Sequence, residues 1–368
     1  MMVRRQSRLR RGKSRPGSSC PGARSVVLPL LAGLALLAGG MFALTGCARV
    51  SRQPHAAEPV APPVWPEPPL TARIGYSQSV WRPADLGITR SAFTRFGQWL
   101  TGSDKGNEPL LKPFGLALDE ADNLCVTDTG AAAVCYYDRA RKKWHRWTKV
   151  GSVRFVSPVA VAKQGDLLFV ADSGLGRVIT FDLSGKLQGQ ITNRLERPAG
   201  LAISLGRLCV ADSLRHCIVV FDRQGQFVAE FGRRGDGPGE FNFPTHLAAD
   251  SEGRLLVTDS MNSRVQILDA AGRFVGQIGR LGDSPGQFSR PKGVAADSFG
   301  HVYVIDALFD NVQIFDPAGR LLLAFGAPGS GAGEFWLPNG IAISRNNEIF
   351  VADSYNRRLQ IFKYIGPS

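Results

Sequence analysis

Six times in this chain an apolar run closes on an aspartate followed by Ser, Thr or Ala. The positions are Asp128, Asp172, Asp212, Asp259, Asp306 and Asp353, spaced 44, 40, 47, 47 and 47 residues apart. Ten residues after each of the first five stands another aspartate, and 14 or 15 residues before each of the six stands a proline, from Pro113 to Pro338. Three landmarks in register six times constrain the fold before any local reading. Units this short cannot each enclose a core, so they must bury their faces against one another.

Each unit reads as four short strands. In the fourth these are Pro244–Ala249, Arg254–Thr258, Arg264–Leu268 and Arg273–Ile278, separated by stretches rich in Ser, Asn, Ala and Gly. Short strands with such boundaries fit antiparallel meanders. Four of them in 40–50 residues make a β-propeller blade, whereas solenoid repeats carry helices or run shorter. The expected fold is an all-β, six-bladed propeller with four antiparallel strands per blade. The run Ala352-Asp353-Ser354, with Arg358 and Phe362 behind it, resembles the NHL repeat. So do the Gly-rich stretches Gly232–Pro244, Gly279–Pro291 and Gly326–Pro338. The resemblance covers about residues 71–368 and implies a six-bladed propeller; no Gly-His…Trp-Asp pattern of the WD type occurs.

The last unit ends at Tyr364–Ser368, one strand short. A ring closed that way would leave an unpaired edge. Thr71–Val80 has the pattern of the missing strand, so residues 72–80 are assigned as the outer strand of blade six. Residues 81–112 then lead to blade one. Within them Thr89 is placed to cap a helix over Arg90–Leu100, with Phe93, Phe96 and Leu100 on one stripe and Trp99 at its edge.

The formal charge of +13 suggests nucleic acid until its distribution is read. Residues 1–46 hold eight basic side chains and no acid, leaving +5 over the remaining 322 residues. A basic stretch to Arg24, an apolar run Val26–Leu44 and small residues before Cys47 describe a secretory leader. Leu44-Thr45-Gly46-Cys47 resembles the lipobox of bacterial lipoproteins, in which the cysteine receives diacylglycerol and becomes the new N-terminus. Residues 47–70 carry seven prolines between Pro54 and Pro69 and read as a semi-rigid tether ahead of a propeller at 71–368. In the resembled lipoproteins an Ala after the cysteine, here Ala48, does not signal inner-membrane retention. The expected place is therefore the bacterial cell envelope, on the outer membrane or the periplasmic face.

Most repeated residues read as scaffold. The six aspartates at the ends of the second strands can take hairpin amides, and Arg177, Arg264 and Arg358, five residues on, are placed to pair with them. A carboxylate ring of such regularity serves a sixfold structure better than a single reaction. Function is sought in the departures. Two residues after each proline stand Gly115, Ala160, Gly200, His246, Gly293 and Gly340, so His246 breaks a row of small residues around the channel. Thr245, Lys292 and Asn339 vary beside it, and together the four mark a channel mouth on the loop face.

The resembled amidating lyases hold zinc through several channel histidines, and such a site needs at least three protein ligands. Here His145, His216 and His301 fall on outer strands or loops and only His246 is axial, so neither a metal nor another cofactor is expected. Calcium-dependent lactonase propellers need carboxylates near the axis, and the starts of the first strands offer none. Cys125 and Cys135, and likewise Cys209 and Cys217, lie on neighbouring strands, and export permits disulfides without requiring them.

The leading expectation is a non-catalytic, lipid-anchored scaffold that binds an envelope protein or a small ligand on its loop face. The alternative is a lyase or lactonase at the channel mouth. Export and the modest charge after the leader oppose nucleic acid. Stable anchoring takes more than one acyl chain, which a lipidated cysteine supplies. Mass spectrometry of the wild type is expected to find acyl mass at Cys47, and Cys47→Ala to change its partitioning between detergent and water. A wild type without acyl mass, beside a variant that stays membrane-bound, would overturn the assignment.

Overall fold

The structure is a computed structural model and describes residues 61–88 and 106–366. The leader, Cys47 and the helix expected over Arg90–Leu100 lie outside the described residues.

The described chain is an all-β propeller of six blades. The innermost strands are Pro113–Leu118, Pro158–Gln164, Pro198–Ser204, Pro244–Ala249, Pro291–Ala296 and Ile341–Ile343. Blade four continues through Leu255–Asp259, Arg264–Leu268 and Phe274–Ile278, each strand antiparallel to the last. The six landmark aspartates are the final residues of the second strands. Side chains alternate between the two faces of a strand, so each blade feeds two cores. Six apolar clusters result, one between each pair of neighbouring blades.

Every landmark carboxylate is fully buried. Each takes backbone amides from the segment that leads into its own blade's first strand, as Asp172 does from Val156 (2.8 Å) and Ser157 (2.9 Å). In blades one, two, three and five it also takes hairpin amides, for example Gly174 to Asp172 at 3.0 Å. In blades four and six an arginine and an asparagine occupy that position instead. Arg264 donates to Asp259 at 2.9 Å and Arg358 to Asp353 at 2.7 Å. The same arginines reach the Gly-rich loops through Gly237 and Glu240, and through Gly331 and Glu334. The pairing expected for Arg177 does not form: its guanidinium donates to the Leu175 carbonyl and to Gln190. Four backbone amides, from Val156, Ser157, Gly174 and Leu175, already serve the Asp172 carboxylate.

The seam closes as the strand pattern predicted. Ile74–Val80 pairs with Arg358–Tyr364 as the fourth strand of blade six. Ile74 and Val80 are buried in the two cores that flank that blade. Ser354 Oγ spans the join to blade one, donating to the Pro113 carbonyl at 2.6 Å. The expected tether, 47–70, is not free to its end. Val64–Trp65 adds a fifth strand to blade six, paired with Ile74 and Gly75. The Trp65 ring lies 5.7 Å from Phe325 and 5.8 Å from Phe362. A large apolar side chain outweighs the poor strand-forming power of its proline neighbours.

Among the described residues the four cysteines, Cys125, Cys135, Cys209 and Cys217, are unpaired. Cys125 stands opposite Tyr136, while Cys135 stands opposite Val126, so the two thiols point to opposite faces of blade one. Cys209 and Cys217 are offset in the same way. Burial pushes Cys135, Cys209 and Cys217 up to about 12, which leaves them as inert small hydrophobes.

Shortening the chain step by step tests the closure. A chain beginning at Ala61 is expected to melt with the wild type, and one beginning at Leu70 to lose about 1–2 kcal/mol with Trp65. One beginning at Trp81 forfeits two fully buried aliphatic side chains and bares two edges, roughly 5 kcal/mol or more. Equal melting temperatures for all three would show that these strands do not hold the ring shut.

Candidate functional site

First strands of neighbouring blades approach closely around the channel, and the row of small residues follows from that. A Cβ placed on Gly115 would sit 2.4 Å from the Val159 carbonyl oxygen, and one on Gly340 2.3 Å from that of Phe114. Leu116, Val161, Leu201, Leu247, Val294 and Ile341, which also join the cores between blades, line a waist of about 30 Å³. On the loop face the channel opens into a cavity of about 250 Å³, and on the opposite face into one of about 220 Å³.

His246 stands where the waist meets the loop-face cavity. Its Nε2 lies 2.9 Å from Asn339 Oδ1 across the channel, and its Nδ1 lies 3.0 Å from Thr245 Oγ1. Thr245 is in turn 2.5 Å from Ser260 Oγ. An amide oxygen only accepts, so the proton is assigned to Nε2 and the Thr245 hydroxyl donates to Nδ1. The imidazole also stacks on Phe114 of blade one, with ring centroids 6.3 Å apart. One side chain thus ties blades four, six and one together on the axis.

Lys292 lines the same cavity, so three of the four nominated residues line one mouth, and the buried Asn339 is joined to them by its hydrogen bond to His246. Burial, with the positive charge of Lys292 added, holds His246 down to about 3. The lysine ammonium is itself lowered, by burial first and by Arg290 second. Arg197, Phe114, Phe243 and three serines complete the wall, and no carboxylate lines it. Among the described residues neither Lys292 nor Arg197 has an acidic partner. The opposite cavity differs: its one charged wall residue, Lys163, is paired with Asp119 at 3.0 Å.

Arg197 did not emerge from the sequence. The signal was available one position before three of the six prolines, where Lys112, Arg197 and Arg290 stand. Among the described residues no three His, Cys, Asp or Glu side chains are grouped to hold a metal ion. The chemistry on offer is to receive an anion or a carbonyl group: the exposed Arg197, the half-buried Lys292, hydroxyls and a neutral imidazole converge on one cavity.

Comparison with known proteins agrees with this architecture. A family model described as a 6-bladed beta-propeller matches residues 186–253 and 246–308, and the NHL repeat model matches residues 335–362. The chain is a six-bladed β-propeller that carries an NHL repeat in its last blade. No curated protein matches its sequence. Among solved structures it is similar to an auxiliary nutrient binding protein from Bacteroides thetaiotaomicron, at 13% identity and a TM-score of 0.55 over 70% of each chain. It is also similar to a virginiamycin B lyase from Staphylococcus aureus, at 13% identity and 0.51, covering 69% of this chain and 96% of that one. Hydrazine synthase of Kuenenia stuttgartiensis gives 16% and 0.51, covering 70% and 96%. A fold used for binding and for catalysis alike does not select between them.

The neutral imidazole has a pH signature. The unfolded chain protonates His246 near 6.5 and the native state only near 3, so between those values the unfolded state binds the extra proton. Stability from this group is complete above the unfolded value and falls as the pH drops through the window. His246→Gln lacks the effect. The gap in unfolding free energy between wild type and variant should shrink by roughly 1–2 kcal/mol from pH 7 to pH 5, read by urea denaturation. A constant gap would mean that the imidazole titrates normally.

Proposed function

We propose that the protein is a lipid-anchored propeller of the bacterial cell envelope, serving as a non-catalytic scaffold whose loop-face mouth binds an anionic or carbonyl-bearing group of a protein or small ligand. The observation that carries this reading is the pairing of Arg197 and Lys292 in a cavity whose wall has no carboxylate. Anchoring rests on the leader and Cys47, and the nutrient binding protein among the structural neighbours illustrates such a use of the fold. The alternative is a lyase, as one neighbour is, with its chemistry at the same mouth. That reaction would need a proton acceptor there. The nitrogens of His246 are both engaged, and an imidazole held near 3 is a weak base at neutral pH.

Crosslinking in intact envelopes followed by capture of the protein tests the scaffold reading. Lys292→Gln and Arg197→Gln are each expected to weaken capture of the recovered partner about tenfold, or 1.4 kcal/mol, with melting temperatures within a few degrees of the wild type. Undiminished capture by both variants would move the binding surface elsewhere.

A further inference from the structure

The loop face carries a second periodic feature that the fold does not need. In blades one, two, four and six the residue two before the proline lies beside the residue two after the landmark aspartate. The Met261 amide donates to the Asn242 carbonyl at 3.1 Å, and the Tyr355 amide to that of Trp336 at 3.2 Å. At this one spot every blade presents an exposed apolar side chain: Leu111, Val156, Leu214, Met261, Leu308 and Trp336, between 44 and 66% exposed. The Tyr355 ring lies tilted against Trp336 with centroids 5.5 Å apart, and the Lys112 ammonium lies 4.7 Å over the Tyr355 ring. Equivalent positions in six blades fall in one plane across the propeller axis. Inside that apolar ring lie Lys112, Arg197, Arg290 and Lys292, with Glu196 as the one acid at the rim positions. The hairpins of the opposite face mix charges, exposing Glu120, Asp166 and Glu252 beside Arg207 and Arg345, with Leu205 and Phe299 as their large apolar residues.

A flat apolar ring around a basic centre matches an interfacial layer of headgroup phosphates over acyl chains. The path of the chain agrees. Pro63 and Trp65 pack against Gly333, in the loop that leads to Trp336, so the N-terminal segment joins the propeller on the loop-face side. The fifteen residues from Ala48 to Pro62 reach roughly 45 Å at about 3 Å per residue, enough to lay this face on the bilayer that holds Cys47.

We propose that the loop face docks on an anionic phospholipid bilayer and that the mouth takes a lipid phosphate headgroup. This rests on the reading of the mouth as an anion site and names its ligand class. The test uses the full lipidated chain with vesicles of phosphatidylcholine, with or without phosphatidylglycerol. An environment-sensitive dye is placed through Met261→Cys or Leu308→Cys on the ring, or through Leu205→Cys on the opposite face. The cysteines of the propeller are buried and do not compete for the label.

Phosphatidylglycerol should shift the emission at positions 261 and 308 to shorter wavelength and leave 205 unchanged. Arg290→Gln with Lys292→Gln, or high salt, should reduce that shift several-fold. Dyes on both faces responding alike would overturn the proposal. So would a ring dye already shifted before vesicles are added, since residues 89–105 or a second copy would then cover the ring. The dye reads the face and not the anchor: a chain without acyl mass that still shifts at 261 fails the anchoring and keeps the docking. Conversely, if phosphatidylglycerol shifts neither ring dye while Lys292→Gln still weakens partner capture, the mouth binds some other anion and the docking falls.

Discussion

A buried carboxylate with nowhere to hide its charge organises this molecule. Each blade ends its second strand on an aspartate that no solvent reaches, and an ionised group in that position is tolerable only when every lone pair has a donor. The donors are backbone amides of the entering loop and the hairpin, or an arginine that also grips the Gly-rich loop. Satisfying one side chain therefore fixes the entry, the turn and the loop of a blade together. Repeating it six times sets all six loops at one height around one axis, and the flat loop face is a consequence.

Such regularity works against chemistry. Six equivalent carboxylates do similar structural work, and the waist is lined mainly by Leu, Val, Ile and small residues. What is left for a specific role is the set of places where the repeat fails. His246 stands where the other blades have Gly or Ala and reaches Asn339 of blade six, so one residue links two blades and lines the mouth. Arg197 and Lys292 are distinctive because they lack the acid that balances Lys163 at the other end. The two mouths are built from the same strands, and their difference is one of charge pairing.

Much of this was legible in the chain itself. Blade number, strand order, the closing role of Ile74–Val80 and the grouping of Thr245, His246, Lys292 and Asn339 all follow from periodicity, because a position in a repeat is also a position in space. Periodicity failed where partners compete. It predicted an Arg177–Asp172 pair, and amides already serve that carboxylate. It carried the tether to residue 70, while Trp65 found an aromatic pocket made by Phe325 and Phe362. It left the cysteine pairs open, and the observed register puts each pair on opposite faces of its sheet.

The sequence by itself thus determined the ring and the identity of its exceptions, since both depend on which residue stands at which repeat position. Only the tertiary structure decided what those exceptions do. The depth at which His246 sits, the partner that each of its nitrogens meets, and the absence, among the described residues, of an acid paired with Lys292 or Arg197 are relations between blades far apart in the chain. Electrostatic strength in the mouth depends on those distances and on how far each group is buried, and neither is written in the order of residues along one blade.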